Sequence, residues 1–206
     1  LDNTWGAGLA FDAFDLGLPE KAASRGVDVS VHALTKYPSG GGDVLMGAVT
    51  TRDERLHQQI KLTHMRLGLG VGGNDAEAIL RSLPSMPLRY AAHDAAARKV
   101  AQWWHARPEA SRVLHPAFPD SPGHAHWAAI SSGAAGLVSV VFDEVARPAE
   151  QVEAFVDALR LFKIGYSWGG PMSLVMPYGL RGMREFGDLA GRQDGTLVRF
   201  AIGLES

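Results

Sequence analysis

A lysine at position 36 closes the strand-like run Ser30-Val31-His32-Ala33-Leu34-Thr35-Lys36-Tyr37. It opens a glycine-rich turn, Pro38-Ser39-Gly40-Gly41-Gly42, and a carboxylate, Asp2, ends the preceding strand-like piece. An amine and a carboxylate at adjacent strand ends can grip the two poles of a pyridine cofactor. The amine forms a Schiff base with the aldehyde of pyridoxal phosphate, and the carboxylate pairs with the ring nitrogen. Protonation of that nitrogen is what makes such a cofactor an electron sink. The alternative for Lys36 is a solvated surface lysine, the commoner situation for this residue type. Its apolar flanks, Val29, Val31, Ala33 and Leu34, argue for a buried edge instead. There the amine loses affinity for its proton and can act as nucleophile and base near neutral pH.

Other residues carry weaker signals. Asp2-Asn3-Thr4 also reads as a turn or N-cap for a helix starting near Gly6. Thr35 can bind a phosphate oxygen or hydrogen-bond its own backbone. The Gly40–Gly42 run lets backbone N–H groups approach an anion, but it lacks the spacing of a nucleotide-binding P-loop. Among eight histidines, His115, His124 and His126 lie in or beside one segment. No His-Glu-x-x-His pattern or cysteine supports a metal site, so surface or loop-packing histidines are expected. Trp103 and Trp104 are expected to pack against a core. Tyr166-Ser167-Trp168-Gly169-Gly170 is too short for a core element and suits a pocket wall. Arg199, alone on the minority face of an apolar strand, either snorkels to solvent or forks a carboxylate, and the sequence weights the two equally.

The elements that must hold these residues follow from periodicity. A helical stripe is expected over 4–16, with a break at Gly17-Leu18-Pro19 and short strands over 27–31 and 43–51. A helix over 52–67 leads into a glycine joint at 68–73, then a helix over 74–83 interrupted by Pro84 and Pro87. Ala92, Ala96, Val100 and Trp103 mark one face of a long helix that Pro108 stops. Residues 115–123, with three prolines, read as a loop. Strands over 137–142, 174–176 and 197–202 flank an amphipathic helix marked by Val152, Phe155, Val156, Leu159 and Phe162. The change of style places a boundary between two units near 84–88.

The 206 residues suffice for one large or two smaller cores, and 46% hydrophobic with 20% charged residues is ordinary for a soluble globular protein. A net charge of −2 gives no electrostatic reason for a nucleic-acid or anionic-membrane partner. The absence of cysteine excludes disulfides and thiolate chemistry. No apolar run is long enough for a bilayer and no signal peptide is visible, so a cytoplasmic location is expected. The start at Leu1, without methionine, gives the expectation of a processed or fragmentary chain.

Several motifs in register resemble the Cys/Met-metabolism family of pyridoxal-phosphate enzymes, and most closely its β-lyase branch. They are Asp2-Asn3-Thr4-Trp5, the lysine motif ending in Thr35-Lys36-Tyr37, and Gly42-Asp43-Val44-Leu45-Met46-Gly47. Later landmarks are His115-Pro116 with Pro122-Gly123-His124, Gly133 with Gly136-Leu137, the Tyr166–Gly170 turn with Ser173-Leu174, and Leu197-Val198-Arg199 with Ile202-Gly203-Leu204-Glu205. The resemblance implies an α/β fold of the aminotransferase-like type I. Residues 1–84 would end the large cofactor domain and 85–206 would form the small C-terminal domain with an antiparallel sheet.

It further implies pyridoxal 5'-phosphate as cofactor, with Lys36 as Schiff-base lysine, Asp2 on the ring nitrogen, Thr35 on the phosphate and Thr4 touching the cofactor. Arg199 would hold the substrate α-carboxylate with Ser167 and Trp168 nearby. The implied activity is β-elimination from cystathionine; γ-acting relatives, or an inactive fragment needing a complementary N-terminal chain, are the alternatives. The implied partners are a small amino-acid substrate and further copies of the chain, as a dimer of dimers. Two departures stand out: an insertion around 18–25, and Ala33 where some members carry a phosphate-binding hydroxyl.

Overall fold

The computed structural model describes residues 1–17, 25–181 and 195–205. Residues 4–9 form consecutive turns, not the expected helix. Two helix-like bonds form, from Ala7 N to Asn3 O and from Ala10 N to Gly6 O, both 2.9 Å. Positive φ at Ala7 (53°) and Gly8 (68°) then turns the chain out of the helical region. Apart from Arg25, the insertion expected at 18–25 lies outside the described residues. Strand β1 (Ser30–Ala33) starts later than expected, because Val27 N is taken by Ala13 O. It pairs antiparallel with β2 (Gly47–Thr50), Ala33 facing Gly47.

Helix α1 (Glu54–Arg66) is capped by Asp53, whose carboxylate accepts from Leu56 N at 2.7 Å. After the glycine joint comes α2 (Gly73–Ser82), and a 3-10 turn over Leu83–Ser85 runs directly into α3 (Met86–His105). Pro84 and Pro87 fall in first turns, where a missing N–H costs nothing, so they start elements instead of interrupting one. The buried face of α3 is Tyr90, His93, Ala97, Ala101 and Trp104, one residue round from the predicted stripe. Trp104 is core and Trp103 is half exposed. The helix is rich in alanine on every side, so apolar spacing could not select the face. Larger neighbours did: His93 lies fully buried with Nδ1 2.6 Å from Ile202 O, and Trp104 meets Phe142 and Phe155 edge-on.

The second half builds a five-stranded sheet. Its members are β3 (Arg112–Leu114), β4 (Leu137–Phe142), β5 (Lys163–Ile164), β6 (Leu174–Gly179) and β7 (Thr196–Ala201), in the order β3-β4-β7-β6-β5. All pairs are antiparallel except β5 with β6. Two short helices, α4 (His124–Ile130) and α5 (Ala149–Asp157), complete it. β3, β5 and α4 escape sequence reading because they are too short to show a period.

Val138 faces Phe200 and Val140 faces Val198 across the central pair, and Val175 flanks Phe200 on the other side. These side chains meet Ala97, Ala101 and Trp104 of α3 and Val152 and Val156 of α5 in one apolar core. Arg199 sits opposite Ser139 and Met176, on the face away from that core, as the alternation of β7 predicts. Among the described residues no helix is long and apolar enough to cross a membrane.

Candidate active site

The first four residues run beside β1. Val31 N donates to Leu1 O, Asn3 N donates to Val31 O, and Ala33 N donates to the Thr4 hydroxyl at 2.8 Å. This ladder carries Asp2 next to the strand that leads into Lys36. The Asp2 side chain is exposed and accepts from Thr4 N at 2.8 Å. Hydrogen bonding from Thr4, through its hydroxyl and then its amide, holds the Asp2 carboxyl below the usual carboxylate range. Asp2 therefore stays anionic, which suits a protonated pyridine nitrogen. Thr4 itself is buried, and its hydroxyl is committed to the Ala33 amide.

Beyond β1 the chain is tied into a tight knot by Ser39. Its hydroxyl donates to Thr35 O at 2.8 Å and accepts from Gly42 N at 2.9 Å. Gly40 and Gly42 take φ of 75° and 69°, a region where a side chain is strained. The Thr35 hydroxyl has only long contacts, 3.4 Å from Met46 N and 3.5 Å to Met46 O. Such contacts are weak, which leaves this hydroxyl available to a ligand oxygen.

Lys36 emerges from this knot toward the turn at 166–170. Its Nζ donates to the Ser167 hydroxyl at 3.1 Å and lies 5.3 Å from the centre of the Trp168 ring. Burial first, and then the positive charge of Arg199, push the Lys36 pKa down. The buried-edge reading of this lysine is the one the geometry supports. Arg199 reaches the same turn from β7, its Nη2 donating to Tyr166 O at 2.6 Å. Its Nε is buried without a hydrogen-bond partner, unlike a guanidinium that has snorkelled into water.

The fold thus gathers Lys36, Ser167, Trp168 and Arg199 from three separate segments, with Asp2 and Thr4 laid along the strand entering the site. An amine of lowered basicity, a fixed anionic carboxylate, a loosely held hydroxyl and an unsatisfied buried guanidinium N–H form a donor set that fits pyridoxal phosphate and an amino-acid substrate.

Sequence reading missed the residues that brace this group. Tyr37 is fully buried, and its hydroxyl accepts from Gly136 N at 2.8 Å. Arg89 of α3 donates to Tyr37 O at 2.7 Å and also to Ser82. An aromatic residue inside a stretch of small polar residues was the available signal. His115 is buried, His124 is half-buried, and His126 is exposed. His124 Nδ1 lies 2.7 Å from Pro116 O, and no group of three metal-capable side chains occurs among the described residues.

Comparison with known proteins identifies the family of the chain. The family described as Cys/Met metabolism PLP-dependent enzyme matches residues 1–206. A cystathionine beta-lyase of Bordetella avium is 39% identical over 210 residues, covering all of this chain and 48% of its own length. A methionine gamma lyase from Micromonospora echinospora superposes with a TM-score of 0.80 at 29% identity, over 100% of this chain and 50% of that one. A cystathionine gamma synthase from Xanthomonas oryzae pv. oryzae, solved with aminoacrylate and cysteine, gives 0.74 at 34% identity over 88% of this chain and 47% of that one. The chain spans about half the length of the relatives it matches.

Proposed function

Because this chain belongs to the Cys/Met-metabolism family of pyridoxal-phosphate-dependent enzymes, we propose that it serves a carbon–sulfur lyase cleaving cystathionine by β-elimination. The products are homocysteine, pyruvate and ammonia, a step of methionine biosynthesis. The observation that carries the reading is the meeting of Lys36 with Ser167 and Trp168 across two distant segments.

Pyridoxal phosphate, when bound, supplies the electron sink that stabilises negative charge at Cα. Lys36 Nζ would hold the cofactor aldehyde. The same nitrogen, as a free amine, would take the Cα proton and return a proton to the departing sulfur. Its lowered pKa favours the neutral, basic form needed for the first of these acts. Asp2 would pair with the ring nitrogen, Thr35 and the adjoining turn would hold the phosphate, and Thr4, whose hydroxyl accepts from Ala33 N, would touch the cofactor. Arg199 forks the substrate α-carboxylate, and Ser167 and Trp168 shape the wall beside it.

Trp168 within the Tyr-Ser-Trp-Gly-Gly turn, together with the cystathionine beta-lyase relatives, supports β- over γ-cleavage. The γ-acting solved relatives support a second reading, in which the same lysine serves a γ-lyase, γ-synthase or sulfhydrylase. Incubation with cystathionine separates the two. Pyruvate with homocysteine establishes β-cleavage, and 2-oxobutyrate with cysteine establishes γ-cleavage.

The proposal extends to organisation. Residues 1–84 complete a cofactor domain, and 85–206 form the small domain. The active assembly is a cytoplasmic homo-oligomer, a dimer of dimers, or a pairing with a complementary N-terminal chain. Mixing this chain with the N-terminal half of a relative and assaying turnover tests the last of these.

A further inference from the structure

Tyr37 follows the lysine directly and touches α3, the turn at 166–170 and the entry to β4. Its ring meets Tyr90 at 5.0 Å and His93 at 5.3 Å, both on α3 and both nearly edge-on. On the other side it meets Trp168 at 5.6 Å. Its hydroxyl takes the Gly136 N–H at the entry to β4, and its carbonyl takes the Arg89 guanidinium. Its amide is crowded by the turn: a Cβ built on Gly169, itself at φ 78°, would stand 3.1 Å from Tyr37 N. That turn is pinned at its other end by Arg199, through Tyr166 O.

The Tyr166–Gly170 turn is therefore held at two points, by Arg199 from the sheet and by Tyr37 from the lysine knot. Between the two points lie Ser167 and Trp168, the residues Lys36 touches. The phenol is ill suited to proton transfer, since burial raises its pKa and the Asp94 carboxylate raises it further. It works as a neutral acceptor. His93 faces the ring with Nδ1 on Ile202 O, and Arg89 faces the backbone, so neither supplies the Gly136 amide with another partner.

We propose that Tyr37 is a positioning residue whose hydroxyl, anchored on Gly136, sets Lys36 in register with the Ser167–Trp168 turn. This rests on the reading of Lys36 as the cofactor-bearing lysine. Loss of the anchor frees the lysine knot to slide against the turn while the ring remains packed. Proton transfer at Lys36 Nζ then suffers, and substrate capture by Arg199 does not.

The test compares Tyr37→Phe with Tyr90→Phe in the holoenzyme. Tyr90 lies in the same buried cluster, but its hydroxyl donates to Trp5 O at 3.3 Å and not toward the lysine knot. Three readouts are taken: kcat and KM for the sulfur substrate, visible circular dichroism of the bound cofactor, and peptide mapping after borohydride reduction. Tyr37→Phe is expected to lower kcat about tenfold with KM within about twofold, the scale of one lost anchoring hydrogen bond. It should also change the visible dichroism, while Tyr90→Phe leaves all three at wild-type values.

Unchanged kcat and dichroism in Tyr37→Phe, or the same change in both variants, overturns the proposal. Mapping separates this from failure of the underlying reading, because wild-type label absent from Lys36 overturns both. Should Tyr37→Phe not fold, 3-fluorotyrosine in place of Tyr37 keeps ring and hydroxyl and weakens only the acceptor. A smaller kcat loss in the same direction is then expected, and no loss overturns the proposal.

Discussion

Lys36 Nζ and Ser167 Oγ lie 3.1 Å apart although 131 positions separate them in the chain. The contact joins the knot after β1 to the turn before β6, so the site exists only when the two sheets are brought together. A lysine held in this way is desolvated on one side by Trp168 and repelled by Arg199, which is the setting its chemistry needs.

Replacement of Lys36 by alanine should eliminate covalent cofactor attachment. Borohydride reduction after incubation with pyridoxal phosphate adds one pyridoxyl mass to the wild-type polypeptide and none to Lys36→Ala. Turnover should fall by at least about a hundredfold, the range of a lost general base. Labelling that persists in the variant would remove Lys36 from the role.

The lowered pKa of Lys36 has a definite sign in pH experiments. An ordinary lysine loses its proton near pH 10.5, and burial moves the neutral form of Lys36 to lower pH. Amine-selective acylation of Lys36 should therefore rise at lower pH than that of a lysine side chain in a short unstructured peptide. The same shift makes the unfolded chain the better proton binder, so this group's contribution to stability improves as pH rises toward 10.5. Competitive labelling with peptide mapping reads the midpoint, and a Lys36 midpoint equal to that of the peptide would contradict the buried-edge geometry.

Arg199→Ala should act mainly on substrate capture. Loss of a charge-assisted fork of about 1.5–3 kcal/mol corresponds to a rise in KM of roughly ten- to a hundredfold, with Arg199→Lys recovering only part because ammonium cannot fork. Steady-state kinetics with an amino-acid substrate decides it. An unchanged KM would assign Arg199 to pinning Tyr166 alone.

His115 predicts an acid weakness. Burial, followed by the nearby Arg98 charge, pushes its pKa down to about 4 from the usual 6.5. Between those values the unfolded chain takes a proton that the folded chain refuses, so stability is full above 6.5 and falls as pH drops toward 4. Urea titrations at several pH values should show that slope, and His115→Phe should flatten it.

The core gives a contrast within one dipeptide. Trp104→Ala should cost about 3–5 kcal/mol, because its ring is buried against Phe142, Phe155 and Phe200. Trp103→Ala should cost far less, since half of that side chain is already in water. Equal losses in denaturant melts would contradict the observed helix face.

The sequence by itself determined the chemistry on offer and the strongly patterned elements. Lys36 beyond an apolar run, Asp2 ahead of it and Arg199 on the minority face of a strand were all readable, because residue type and period two are local properties. The strand at 137–142 and the helix over 52–67 were legible for the same reason. Tertiary structure decided what depends on partners. It chose the His93–Ala97–Ala101–Trp104 face of an alanine-rich helix, since burial goes to the side that large neighbours can cover. It turned residues 4–9 away from a helix, because Asn3 N and the Thr4 hydroxyl pair with β1 and positive φ at Ala7 and Gly8 bends the chain out of the helical region. It also drew Arg199 onto Tyr166 O, a backbone partner that neither alternative in the sequence named, and it placed Tyr37 against the turn that faces Lys36. No spacing along the chain encodes a contact across 131 residues; it takes the packing of the knot after β1 and of the five-stranded sheet against α3.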